Sequence, residues 1–73
     1  MLRVEIAATD QIEAKRIQSV YQRGESVIKL DDEATDQAWR AGYTPVGRPA
    51  FVGLTNGEPL MYRFDVPVET SVR

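Results

Sequence analysis

Cysteine and histidine are both absent from the 73 residues, and each absence removes chemistry. Secreted domains of this size usually rely on disulfides, so a chain without cysteine is expected in a reducing compartment. Without histidine the commonest general base and metal ligand is missing, and no thiol–imidazole pair can form. A metal site would need carboxylates alone. Long apolar runs are missing too: no window approaches the roughly 18 apolar residues of a membrane span, and Met1–Glu5 lacks the apolar stretch of a signal peptide. Nor is there an excess of positive charge. Nine basic residues stand against eleven acidic ones, for a net charge of −2, whereas nucleic-acid domains are usually strongly basic. A chain this short forms one domain and buries about 60% of its unfolded surface, which leaves little room for an enclosed substrate pocket. The expectation is a cytoplasmic protein that is not an enzyme, takes no cofactor or metal, and does not bind nucleic acid tightly alone.

What is present reads as an α+β domain. Leu2, Val4, Ile6 and Ala8 alternate with Arg3, Glu5 and Ala7, the period-two pattern of a strand with one buried face. Asp10 followed by Glu13 resembles a capping box, and Gly24 suits the left-handed position after a helix end. Between them Ala14, Ile17, Val20 and Tyr21 share one arc, so this long helix packs on the sheet. Glu25–Leu30 reads as a second strand. A short second helix starts at the acidic run Asp31-Asp32-Glu33 and stops at Gly42, with Ala34, Ala38 and Ala41 as its packing face. Tyr43–Pro49 is a loop, and Asn56-Gly57 signals a type I′ hairpin. That turn would pair Thr55 with Glu58, Gly53 with Leu60, Phe51 with Tyr62 and Pro49 with Phe64. The expected architecture is a small antiparallel sheet of three to four strands with one long helix packed on it and a short second helix. Residues 1–65 form the domain and 66–73 a flexible tail.

Two constellations could carry function. Asp31, Asp32, Glu33 and Asp36 crowd four carboxylates into six residues. They lack the glycine and distal glutamate of a calcium loop. They read either as acids complementing a helix N-terminus or as a contact patch for a basic protein surface. Trp39, Arg40, Tyr43 and Arg48 flank the loop and are residue types that dominate binding hot spots. Burial is favoured for Trp39, because a thin core needs its largest side chains; Tyr43 is open, and Arg40 and Arg48 are expected to be exposed. The hairpin carries apolar residues on both faces, Phe51, Leu60, Tyr62 and Phe64 on one and Val52, Leu54 and Met61 on the other. Either the second helix covers the latter face, which is favoured, or that face is exposed for a partner. The partner-binding set is therefore Asp31, Asp32, Glu33, Asp36, Arg40, Tyr43 and Arg48.

In its length, its lack of Cys and His, and its mixed build from Leu2 to Asp65, the chain resembles small phage-encoded host-takeover proteins, most of all the RNA-polymerase-binding transcription regulators of Xanthomonas phages. No short motif carries the resemblance, so no functional residue comes with it. It implies residence in the host bacterial cytoplasm and binding to bacterial RNA polymerase near the N-terminus of the β′ subunit. It also implies inhibition of initiation by dislodging σ, and antitermination in which NusA takes part. An inhibitor of a bacterial defence nuclease, of the anti-CRISPR type, shares the same build, and a small nucleic-acid-binding module is the third alternative.

Overall fold

A computed structural model describes residues 1–57 and 59–69. Five elements follow in order: β1 (Leu2–Ala7), α1 (Gln11–Gln22), α2 (Ile28–Arg40), β2 (Ala50–Leu54) and β3 (Met61–Val66). The three strands form one antiparallel sheet in the order β1-β3-β2. The class is α+β, as the alternating and helical patterns predict.

The first half of the chain follows its local signals. β1 exposes Arg3, Glu5 and Ala7 and turns Val4 inward, with Leu2 and Ile6 half-buried beside it. At the N-cap of α1 the Asp10 carboxylate accepts the Glu13 backbone N–H at 2.7 Å, satisfying a donor the helix cannot use itself. Arg23 closes the helix and Gly24 follows at φ +85°, where a Cβ would be strained. Ala14 and Ile17 are buried and Val20 and Tyr21 half-buried, so the arc read from the sequence faces the sheet.

The middle of the chain differs from expectation. Residues 28–30 are not a strand but the first turn of α2, which runs for 13 residues against 12 in α1. The second helix is thus neither short nor begun at Asp31. Its N-cap, Val27, offers no side-chain acceptor, so the chemical mark of a helix start is missing from the sequence. α2 packs through Ala34 and Ala38, both fully buried, and these small residues let its backbone lie close to β1 and β3.

The hairpin is present in a different register. Phe51 pairs with Phe64 and Leu54 with Tyr62, and a bulge between Phe51 and Gly53 shifts the ladder. Gly53, at φ +153°, supplies the backbone freedom this kink needs. Asn56-Gly57 lies within a longer connection, not a two-residue turn. The Thr55 N–H reaches the Met61 carbonyl at 2.9 Å, and the Thr55 hydroxyl accepts the Met61 N–H at 2.8 Å. Glu58, the expected partner of Thr55, lies outside the described residues. One consequence is that Leu54 joins Phe51 against the core while Val52 stays exposed.

Both helices contribute to a single core, formed by Val4, Ala14, Ile17, Ala34, Ala38, Tyr62, Phe64 and Val66. Phe64 is its centre. Its ring meets Tyr21 edge-on at 5.6 Å and Phe51 at 5.4 Å, and Tyr21 stacks on Phe51 at 4.7 Å. Since α2 shares this core, it does not cover the second face of the hairpin. That face carries cross-strand ion pairs instead: Arg3 with Asp65 and Arg63 with Glu5, each pair directly opposite in the β1–β3 register.

The domain also extends past the expected boundary at Asp65. Val66 ends β3 fully buried, and residues 67–69 are held by the loop after α2. The Val46 N–H donates to the Pro67 carbonyl at 2.9 Å, the Glu69 N–H to the Thr44 carbonyl at 2.8 Å, and Pro45 bridges Val68. Of the proposed tail, residues 70–73 lie outside the described residues.

Candidate functional site: a groove between α2 and the following loop

An α-helix puts residues three and four apart on one face. Ile28, Asp32, Thr35 and Trp39 share such a face of α2, next to the buried row of Asp31, Ala34 and Ala38. The loop running from Pro45 to Pro49 comes back opposite them, held in place by the contacts of Val46 and Pro45 with Pro67 and Val68. A Cβ at Gly47 would stand 3.0 Å from the Pro67 side chain, so a glycine permits this close approach. The result is an open groove of about 460 Å³, lined by Ile28, Asp31, Asp32, Thr35 and Trp39 on the helix side and by Pro45, Gly47, Arg48 and Pro49 on the loop side.

Trp39 is 56% exposed and Ile28 73% exposed. The expected burial of Trp39 is overturned, because alanines fill the helix–sheet interface and leave no room there for an indole. Large apolar side chains at a groove wall are unfavourable to leave in water, and their desolvation is what a partner gains.

The acidic run is divided by the helix rather than presented as one patch. Asp31 is buried, whereas a contact patch would need it at the surface. The Tyr21 hydroxyl donates to its Oδ1 at 2.7 Å and lies 3.2 Å from the Val27 carbonyl oxygen, so Asp31 ties α2 to α1. Thr35 adds a bond from its hydroxyl to the Asp31 carbonyl at 2.9 Å. Asp32 is exposed in the groove. Glu33 and Asp36 fall on flanks away from it: Asp36 pairs with Arg40 one turn on, and the Gln37 amide lies 3.5 Å from Glu33 and 3.1 Å from the Glu5 carbonyl of β1. Tyr43 lies past the helix end, exposed, its N–H on the Ala38 carbonyl. Arg48 is in the groove with its guanidinium 3.5 Å from the Ser26 hydroxyl.

The structure therefore brings together Asp31, Asp32 and Arg48 of the predicted set. It separates Glu33, Asp36, Arg40 and Tyr43 from them. Ile28, Thr35 and Trp39 were missed as a group, although their spacing with Asp32 would reveal the face once the helix is known to begin at Ile28. Among the described residues no group of three or more acidic side chains is arranged to hold a metal ion, and no helix is long and apolar enough to cross a membrane. Comparison with protein-family models, curated proteins and solved structures finds no match to this chain.

Burial, and then the hydrogen bond to Asp31, hold the Tyr21 phenol well above its ordinary range; burial also raises Tyr62. A raised folded-state value means the neutral phenol is favoured in the fold. That contribution is fully present below the unfolded tyrosine pKa of about 10 and is lost as pH rises above it. The urea midpoint should thus fall from about pH 10 upward, and Tyr21→Phe should make that fall shallower. An unchanged midpoint up to pH 11.5, about 1.5 units past the free phenol value, would show that Tyr21 is not held in this way.

Proposed function

We propose that this chain is a phage-encoded, protein-binding regulator of the host bacterial cytoplasm that binds RNA polymerase, blocks initiation and promotes readthrough of terminators. The observation that supports a binding role best is the pair of large apolar side chains, Trp39 and Ile28, standing exposed in an open groove beside Asp32 and Arg48. Aromatic and arginine anchors rimmed by charge are the surface chemistry of protein interfaces. The choice of RNA polymerase rests on the resemblance in size, composition and build to phage polymerase regulators. On this reading the protein acts by occupancy and catalyses nothing, and the acidic residues of α2 speed encounter with a basic surface more than they add affinity.

Purified bacterial RNA polymerase tests the proposal directly. The protein should bind core enzyme through β′, lower σ-dependent transcripts from a strong promoter, and raise terminator readthrough further when NusA is added. It should show no sub-micromolar retention of DNA or RNA when alone at physiological salt, given its net charge of −2. If the protein neither binds the polymerase nor alters transcripts, the polymerase reading is wrong. Tight nucleic-acid binding with a steep salt slope would replace it by direct binding to the template.

A further inference from the structure

Asp31 is only 9% exposed, and burying a carboxylate is costly unless its oxygens are met by donors. Oδ1 accepts from Tyr21 at 2.7 Å. Among the described residues no hydrogen bond or ion pair reaches Oδ2, and none of the sealed side-chain oxygens there is without a partner. Oδ2 therefore keeps an opening to solvent, and the space that Asp31 lines is the groove. An acidic residue in the first turn of a helix is explained by the macrodipole, but that role is filled as well by an exposed side chain. It does not account for a carboxylate sunk beneath an open groove with one oxygen left to solvent.

The rest of the lining has matching chemistry. Asp32 adds a second carboxylate, Trp39 a half-exposed indole, and Arg48 a single positive charge kept at the loop beside Ser26. The groove thus carries two carboxylates against one cation, a net −1. A planar cation can use both features at once, since a guanidinium forks onto carboxylate oxygens and also stacks on an indole face. An ammonium can use the charge but gains less from the ring.

We infer that this groove is a receptor for an arginine side chain of the protein partner, with Asp31 and Asp32 meeting the guanidinium and Trp39 flanking it. The inference rests on the partner-binding reading above and names the chemistry that reading leaves open. Arg48 sets the specificity from the other wall: it repels a second basic residue on the loop side, so the groove itself takes a single arginine and other basic residues of the partner lie outside it.

The test uses the full chain and three acetylated, amidated pentapeptides of sequence Ala-Leu-X-Leu-Ala, where X is arginine, lysine or citrulline. Citrulline keeps the shape of arginine and removes its charge. Binding is followed by the indole N–H resonance of Trp39, the single tryptophan, and by its fluorescence. The arginine peptide should bind in the millimolar range or tighter, about ten-fold better than citrulline, with lysine between them. That preference should shrink as salt screens the carboxylates. Asp31→Asn keeps an acceptor for Tyr21, and Asp32→Asn is exposed; either should reduce the arginine peptide to the citrulline level. Should Asp31→Asn fail to fold, Asp32→Asn carries the test. Equal binding of the arginine and citrulline peptides overturns the inference, as does an arginine peptide that leaves the Trp39 signals unmoved. The peptides involve no polymerase, so the two readings can fail separately: polymerase bound equally well by wild type and Asp32→Asn sinks the arginine receptor and leaves the polymerase reading standing.

Discussion

Phe64→Ala should cost the domain a large share of its stability at 25 °C and move its urea midpoint far below that of the wild type. The ring is fully buried and touches Tyr21 and Phe51 edge-on, in a core only two layers thick. Truncating such a side chain costs about 3–5 kcal/mol, from lost transfer energy and from the cavity left behind. A small domain holds on the order of 5–10 kcal/mol in all. Ile17, at 3% exposure on the sheet-facing side of α1, should behave similarly on truncation, at about 2–5 kcal/mol. Ile12 sits on the same helix at 84% exposure, and Ile12→Ala should change stability by no more than about 0.5 kcal/mol. Urea unfolding of the three variants separates these cases. A Phe64→Ala protein that unfolds at the wild-type midpoint would mean that the core is not built around this ring.

The contrast between Ile17 and Ile12 shows what the sequence discloses well. Where a strand alternates cleanly, as from Leu2 to Ala8, or a helix is bounded by Asp10 and Gly24, the local signals and the final packing agree. Residues 25–30 show where they diverge. Val27, Ile28 and Leu30 make a short apolar cluster rich in β-branched residues, and such a run fits a strand or a helix turn equally by periodicity. The deciding mark would be an N-cap, and Val27 provides none. That one displaced boundary hides the groove, because the shared face of Ile28, Asp32, Thr35 and Trp39 exists only if α2 starts at Ile28.

Trp39 and Asp31 exchanged their expected places for related reasons. A large aromatic is usually core and a charge usually solvated. Here the packing face of α2 is built from Ala34 and Ala38, too close to the sheet for an indole, and Tyr21 offers Asp31 a hydrogen bond that makes burial tolerable. The hairpin was legible in kind but not in register, since the bulge near Gly53 depends on pairing with β3 and has no local signature beyond the glycine itself. Tertiary contacts set these features, and no window of the sequence contains both sides of them.

The second large effect is expected in binding. Trp39 contributes nothing to the core, so Trp39→Ala should fold with a stability close to wild type. At an interface, an exposed tryptophan in a groove is the residue type whose truncation costs most, about 2 kcal/mol or more, which is roughly a thirty-fold loss of affinity. Arg40→Ala, on the outer flank of α2 and paired with Asp36, should lose no more than a few-fold, in keeping with about 0–1 kcal/mol for a solvent-exposed pair.

The most direct measurement is the affinity of wild type, Trp39→Ala and Arg40→Ala for purified bacterial RNA polymerase, each variant first shown to unfold at the wild-type urea midpoint. Binding by wild type and Arg40→Ala, with a loss of about thirty-fold or more for Trp39→Ala, is the result predicted for a polymerase-binding protein that docks through the α2 groove. Equal affinity of all three would place the contact elsewhere on the domain, and no binding by any of them would contradict the assignment to polymerase itself.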